Sequence, residues 1–269
     1  MDKKNNLGNT LSSVMGIAVI VISLVISYFV YHNILGNPEN FVGGNPENEP
    51  LEGNYLGVIH KGSSIVILQL SFVIILFTYM LERGISLAKA SGKGRNKVFA
   101  AGIKNLLHKG DFEGIKSKCD KQKGSIGNVV KKGVHAFSEI EGITELRPEE
   151  KAFRLKRELE EATHLELPQL ERNMAIISTI ASVATLIGLL GTVTGMIRAF
   201  SALARAGSPD AIGLASGISQ ALVTTALGIS TAAVAIVVYN FYTSMIDRIT
   251  YSIDETNYAI MAKFKEEQA

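Results

Sequence analysis

Charged residues vanish from the chain in four stretches. Leu11 to Leu35, Gly62 to Leu81, Asn173 to Ile197 and Ala211 to Ile246 contain no Asp, Glu, Lys or Arg. A helix rises about 1.5 Å per residue and a hydrocarbon core is about 30 Å thick, so about 20 apolar residues are enough to cross it. All four stretches qualify, and the fourth is long enough to project beyond a bilayer. Lys3 and Lys4 precede the first stretch as they would in a signal peptide, but the apolar run is too long for a signal core. Phe29 to Gly36 also lacks a small-x-small cleavage pattern, so this stretch is read as a retained span. The pattern predicts an all-α, polytopic membrane protein with four transmembrane helices. Residues 1–81 form an N-terminal hairpin, with spans 11–35 and 62–81 and an outer loop 36–61. Residues 82–172 form a helical cytoplasmic domain, 173–246 a second helical pair and 247–269 a tail.

Charge sets the orientation. Residues 36–60 carry Glu39, Glu47, Glu49 and Glu52 and no Lys or Arg, whereas 83–172 hold 19 basic against 13 acidic residues. Lys89, Lys93, Arg95 and Lys97 follow closely behind the second span. By the positive-inside rule that segment is cytoplasmic, as are both termini, and a turn near Gly207, Ser208 and Pro209 lies outside. The average composition agrees, with 47% hydrophobic residues. The single cysteine, Cys119, falls on the reducing side and can form no intrachain disulfide.

The outer loop repeats Gly-Asn-Pro-Glu-Asn from Gly36 and from Gly44, a turn-forming composition. A calcium site on its carboxylates is an alternative reading, although the spacing matches no known calcium loop. The cytoplasmic segment reads as short helices broken at Gly92, Gly110, Gly124, Gly127 and Gly142. A stronger helix opens at Pro148, with Glu149 and Glu150 in its first turn, and continues into the third span with a bend at Pro168. The basic cluster around Gly92-Lys93-Gly94-Arg95 lacks the phosphate-binding loop pattern. It is explained by anionic lipid headgroups rather than nucleic acid.

Spans one and two are dominated by Val, Ile, Leu and Phe and read as lipid-facing. Spans three and four differ. Ser178, Thr185 and Thr192 recur every seven residues on one face of the third, together with Gly188, Gly191 and Gly195. The fourth carries Gly213, Gly217 and Gly228 with Ser216, Gln220, Thr224 and Thr225. Small residues at such spacing let backbones approach, and hydroxyls buried away from water need partners. For any single Ser or Thr, a bond to its own helix carbonyl is the simpler account. Two such helices side by side imply a shared polar lumen or a central polar partner, and hence an oligomer. Neither helix holds a charged group at membrane depth, so a proton path along this face needs a carboxylate from a second protein. The five histidines are scattered, and no catalytic set, metal site or cofactor site is visible. The chain is read as a non-enzyme.

The runs Leu170-Glu-Arg-Asn173, Ile187-Gly-Leu-Leu-Gly-Thr-Val-Thr-Gly-Met-Ile-Arg-Ala-Phe200, Gly217-Ile-Ser-Gln-Ala-Leu-Val-Thr-Thr-Ala-Leu-Gly228 and Val237-Val-Tyr-Asn240 resemble the MotA/TolQ/ExbB proton channel family, and most closely its ExbB branch. The likeness covers about residues 165–250. It implies a pentameric ring in the bacterial inner membrane, enclosing two ExbD-like single-span partners whose membrane Asp carries the proton. Through a TonB-like protein, such a complex drives transport across the outer membrane. By motif, Thr192 and Thr225 match threonines that face that aspartate, with Thr224 and Gln220 beside them. Ser178, Thr185, Gly188, Gly191, Gly195, Gly217 and Gly228 fall to helix packing and partner contact. The ExbB pattern usually has Glu at the place of Gln220 and Pro at Thr185 and Val234, so this chain lacks a titratable group there and two expected kinks. It also has an added N-terminal span. A TolQ-like role, a motility stator, a non-conducting scaffold and a small transporter are the competing readings.

Overall fold

The computed structural model describes residues 2–204 and 210–268, with side chains from residue 16 onward. The turn expected near Gly207, Ser208 and Pro209 lies outside the described residues. The helices are α1 (Asp2–Phe29), α2 (Tyr55–His60), α3 (Ile65–Ala90), α4 (Asn96–His108), α5 (Phe112–Gln122), α6 (Gly124–Glu141), α7 (Pro148–Glu171), α8 (Met174–Leu203) and α9 (Ala211–Gln268). Four stretches are long and apolar enough to cross a membrane: Gly16–Leu35, Ile65–Ala90, Pro148–Leu203 and Ala211–Gln268. Large apolar side chains such as Ile17, Val25, Leu186, Phe200 and Val237 stay exposed on them. That is a multi-pass membrane protein.

The chain divides into two compact units, each assembled from two separate stretches. The first joins Met1–Met80 with Ile176–Val238. Here α1 ends in a π-helical turn, Val30–Leu35, which places Tyr31 against His60. The rings stack 4.5 Å apart and the Tyr31 hydroxyl donates to the His60 carbonyl at 3.1 Å. Phe41 meets the same imidazole edge-on. Burial, with Lys61 and His32 adding positive charge, lowers the His60 pKa and keeps its ring neutral to a lower pH than usual.

The Asn-Pro-Glu-Asn part of the repeat makes the same bonds twice. Asn37 Oδ1 accepts from the Glu39 amide at 3.0 Å, and Asn45 Oδ1 from the Glu47 amide at 2.9 Å. The amide of Asn40 donates to the Ile34 carbonyl and that of Asn48 to the Val42 carbonyl, each at 2.8 Å and each six residues back. Only the first copy is anchored inward, for Asn40 is buried and also accepts from Asn54 at 2.9 Å. The second copy is an excursion pinned at its base by the Phe41–Pro50 bridge and the Val42-to-Glu49 backbone bond, and at Glu47, whose carbonyl accepts from Lys61 Nζ at 2.8 Å.

The second unit joins Leu81–Ala175 with Tyr239–Ala269. Its core is apolar, with Phe99, Ile103, Ile115, Val130, Leu155 and Ile260 buried and Phe137 packed edge-on to Phe264 at 4.9 Å. Gly92 and Gly124 both have positive φ where the α3–α4 connection crosses the start of α6, and a Cβ on Gly124 would lie 2.7 Å from the Gly92 nitrogen. Only glycine combines that conformation with that approach. Gly127 does not break a helix, contrary to expectation; it lies inside α6 and lets that helix approach the Cys119 carbonyl. Pro148 opens α7, where Glu150 reaches back to the Arg147 amide and guanidinium, and this pairing lowers its carboxyl pKa.

The expected bend at Pro168 is also displaced. Helix α7 runs through Pro168, and the break falls at Arg172–Asn173, where Asn173 takes φ 60. Asparagine tolerates this left-handed conformation better than most residues, and its amide donates to Glu82 Oε2 at 3.2 Å. Cys119 is buried, and that desolvation, with Asp120 beside it, pushes its thiol pKa up to about 11. A thiolate is the reactive form, so we expect Cys119 to resist alkylation near neutral pH in native membranes and to react fully in denaturant. Labelling followed by mass measurement checks this, and rapid native labelling would show the site is open.

Candidate functional site

Helices α8 and α9 meet along a ladder of residues without side-chain bulk. A Cβ on Gly195 would lie 2.7 Å from both the Ala221 nitrogen and the Gly217 carbonyl oxygen. One on Gly217 would lie 2.6 Å from the Ala199 nitrogen, and one on Gly228 2.6 Å from the Ala184 oxygen. One on Gly188 would lie 3.2 Å from the Thr224 oxygen. The atoms named in these four cases are all backbone, so the two main chains are in direct contact. This close approach is what small residues at four-residue spacing allow.

On the rim of that ladder the two helices present hydroxyls to each other. Thr192 Oγ1 and Thr225 Oγ1 are hydrogen-bonded, and each also reaches the Gly188 carbonyl at 3.3 Å. Both threonines are half-buried and so remain partly open at the edge of the pair. Ser178 and Thr185 lie on the same side of α8, also half-buried. This part of the helix pair holds no charged residue. The arrangement can accept or donate a hydrogen bond to a group arriving from outside the chain, but it offers no carboxylate of its own.

Thr224 and Gln220, grouped with that pair on sequence grounds, are placed differently. Thr224 is 0% exposed, fills the notch opposite Gly191, and its hydroxyl donates to its own helix at Gln220 O (2.9 Å) and Ala221 O (3.2 Å). Adjacent helical residues are about 100° apart around the axis, so when Thr225 faces the rim Thr224 faces inward. Gln220 is 3% exposed and accepts at Oε1 from the Arg198 guanidinium (3.0 Å), while its amide donates to Thr194 Oγ1 at 3.4 Å. Arg198 also donates to Ser63 Oγ at 3.4 Å.

Sequence reasoning missed two members of this site. Arg198, just beyond the charge-free stretch of α8, is the donor that holds Gln220. Gln69 was passed over as part of a lipid-facing span. It is 2% exposed and its amide donates to the Thr224 carbonyl at 2.6 Å. The only signal available was one amide inside a Val/Ile/Leu/Phe run, where a buried polar group needs a partner.

Residues 121–255 match the family described as the MotA/TolQ/ExbB proton channel family. The Tol-Pal system protein TolQ of Haemophilus influenzae is 30% identical over 196 residues, spanning 70% of this chain and 84% of that protein. The chain belongs to the MotA/TolQ/ExbB proton channel family. The matched region contains the whole of the glycine ladder and the threonine pair. The family is one of proton channels and transport energisers rather than an enzyme class. The putative biopolymer transport protein ExbB-like 3 of Synechocystis is 40% identical over 95 residues, which covers 35% of this chain and 44% of that protein. The biopolymer transport protein ExbB of Pseudomonas putida is 39% identical over 75 residues, 26% of this chain and 23% of that protein.

Proposed function

We propose that the chain is an ExbB-like subunit of an inner-membrane, proton-driven motor that energises TonB-dependent transport across the outer membrane. It acts as a homopentamer, with both termini on the cytoplasmic side and an ExbD-like single-span partner whose membrane Asp carries the proton. The observation that carries the reading is the paired, partly open Thr192 and Thr225 at the rim of the helix pair, on a part of it without charged residues. Such hydroxyls orient a carboxylate or a water beside it, and the partner supplies the titrating group. Ser178 and Thr185 extend the same face toward the partner, and Gly188, Gly191, Gly195, Gly217 and Gly228 hold the two helices together.

A TolQ-like envelope role is the second reading. The similarity to TolQ extends over twice as much of this chain as that to the Synechocystis ExbB-like protein. Deleting the gene separates the two. The ExbB-like reading expects loss of proton-motive-force-dependent uptake through an outer-membrane receptor with detergent resistance retained. Intact uptake with a detergent-sensitive envelope would overturn it in favour of the TolQ-like role.

A further inference from the structure

We infer that Gln69, on α3, is a positioning residue for the threonine pair: by donating to the Thr224 carbonyl it fixes the turn of α9 that turns Thr225 toward Thr192. The inference rests on the proposed role of that pair. Three observations support it.

The bond is short and fully shielded, at 2.6 Å with Gln69 2% exposed. Since a carbonyl only accepts, the amide nitrogen must be the group that faces it. Gln69 Oε1 is equally shielded and accepts from no group among the described residues, so this single donation to Thr224 is what the side chain does.

The contact is also built into the packing. Val66, one turn before Gln69, is fully buried in a cluster with Tyr31 and Leu35, and Leu70 and Leu227 pack against that cluster. A Cβ on Gly62 would lie 3.1 Å from Val223 Cγ1. The first turns of α3 therefore lie directly on the Val223–Leu227 turn of α9, and Gln69 is the polar member of that contact.

Finally, the accepting carbonyl belongs to the peptide unit that ends at the Thr225 nitrogen. That unit accepts from Gln69 on one side and lies beside Gly188 on the other, whose missing side chain leaves the Thr224 oxygen room. Thr225 Oγ1 in turn bonds the Gly188 carbonyl and Thr192. Losing the Gln69 bond lets the peptide plane tilt, and with it the direction of the Thr225 side chain. A helix carbonyl released from a side-chain donor keeps its own helical bond, so the change is one of orientation rather than a broken helix.

The test reads geometry and function separately. In full-length protein carrying Cys119→Ser, Thr192→Cys and Thr225→Cys, disulfide formation is measured in native membranes as loss of free thiol. Adding Gln69→Leu should lower the yield about fivefold, the population shift that one net hydrogen bond supports. Gln69→Glu gives a second, internal control, because a buried carboxyl donates when protonated and repels a carbonyl when ionised. After assembly, its yield relative to the Gln69 parent should be near parity at about pH 6 and should fall at about pH 8. This arm decides the matter even if Gln69→Leu fails to accumulate. A yield unchanged by Gln69→Leu, or a Gln69→Glu ratio flat with pH, would overturn the inference. If the yields behave as expected but uptake survives loss of both threonine hydroxyls, the positioning stands and the proposed function falls.

Discussion

Gly217→Val is expected to leave little assembled protein in the membrane. A β carbon at this position meets the Ala199 nitrogen at 2.6 Å, the Gly195 oxygen at 2.7 Å and the Ala199 α carbon at 2.8 Å. None of these atoms can rotate away, so α8 and α9 must separate, and separation also loosens the contacts at Gly195 and Gly228. Overpacking of a well-filled interior typically costs about 1–3 kcal/mol and sometimes more. Backbone collisions belong at the upper end, because no side chain is available to yield. Gly217→Ala should show the same defect in weaker form. Leu222→Ala, on the exposed side of the same helix, should be near neutral. Membrane abundance and protease resistance of the three variants measure this, and a Gly217→Val protein as abundant and resistant as the parent would show that the helices can pack without the ladder.

The second large effect separates activity from folding. Thr192→Val combined with Thr225→Val should abolish proton-driven work, a loss of about a hundredfold or more by the scale of removing preorganised hydrogen-bond donors, while abundance stays near that of the parent. Both partners of one hydrogen bond are replaced by groups of the same shape, which is close to neutral for stability. The Gly188 carbonyl they share keeps its helical donor. Either single change leaves one hydroxyl still able to reach Gly188, at 3.3 Å in each case, and should lose less. Activity of the double variant equal to the parent would remove these hydroxyls from the mechanism and favour a non-conducting scaffold.

The four helices were legible in the sequence because a charge-free run of such length has few other uses in a folded chain. The glycine ladder was legible for a related reason, since four-residue spacing of small residues has one geometric consequence. What stayed hidden were facts about direction. Spacing places Thr224 and Thr225 in one polar cluster, but only the packed structure shows that one hydroxyl turns into its own helix while the other turns to Thr192. Gln69 is a single amide among Val, Ile, Leu and Phe, and its importance depends on a residue 155 positions away in the chain. The break between α7 and α8 was assigned to Pro168 because proline is the usual cause of a kink. A helix can carry a proline at the loss of one bond, whereas Asn173 reverses the sign of φ and stops the helix.

The loop between the first two spans has a different kind of consequence. Its second Gly-Asn-Pro-Glu-Asn copy lies within residues 42–49, an excursion that leaves and returns through the Phe41–Pro50 bridge. Slippage during replication that removes or duplicates such a unit would shorten or lengthen the loop while its two ends stay where they are. Length variation here is therefore open to evolution in whole copies. The glycine ladder, where an added methyl already meets backbone, has no comparable latitude.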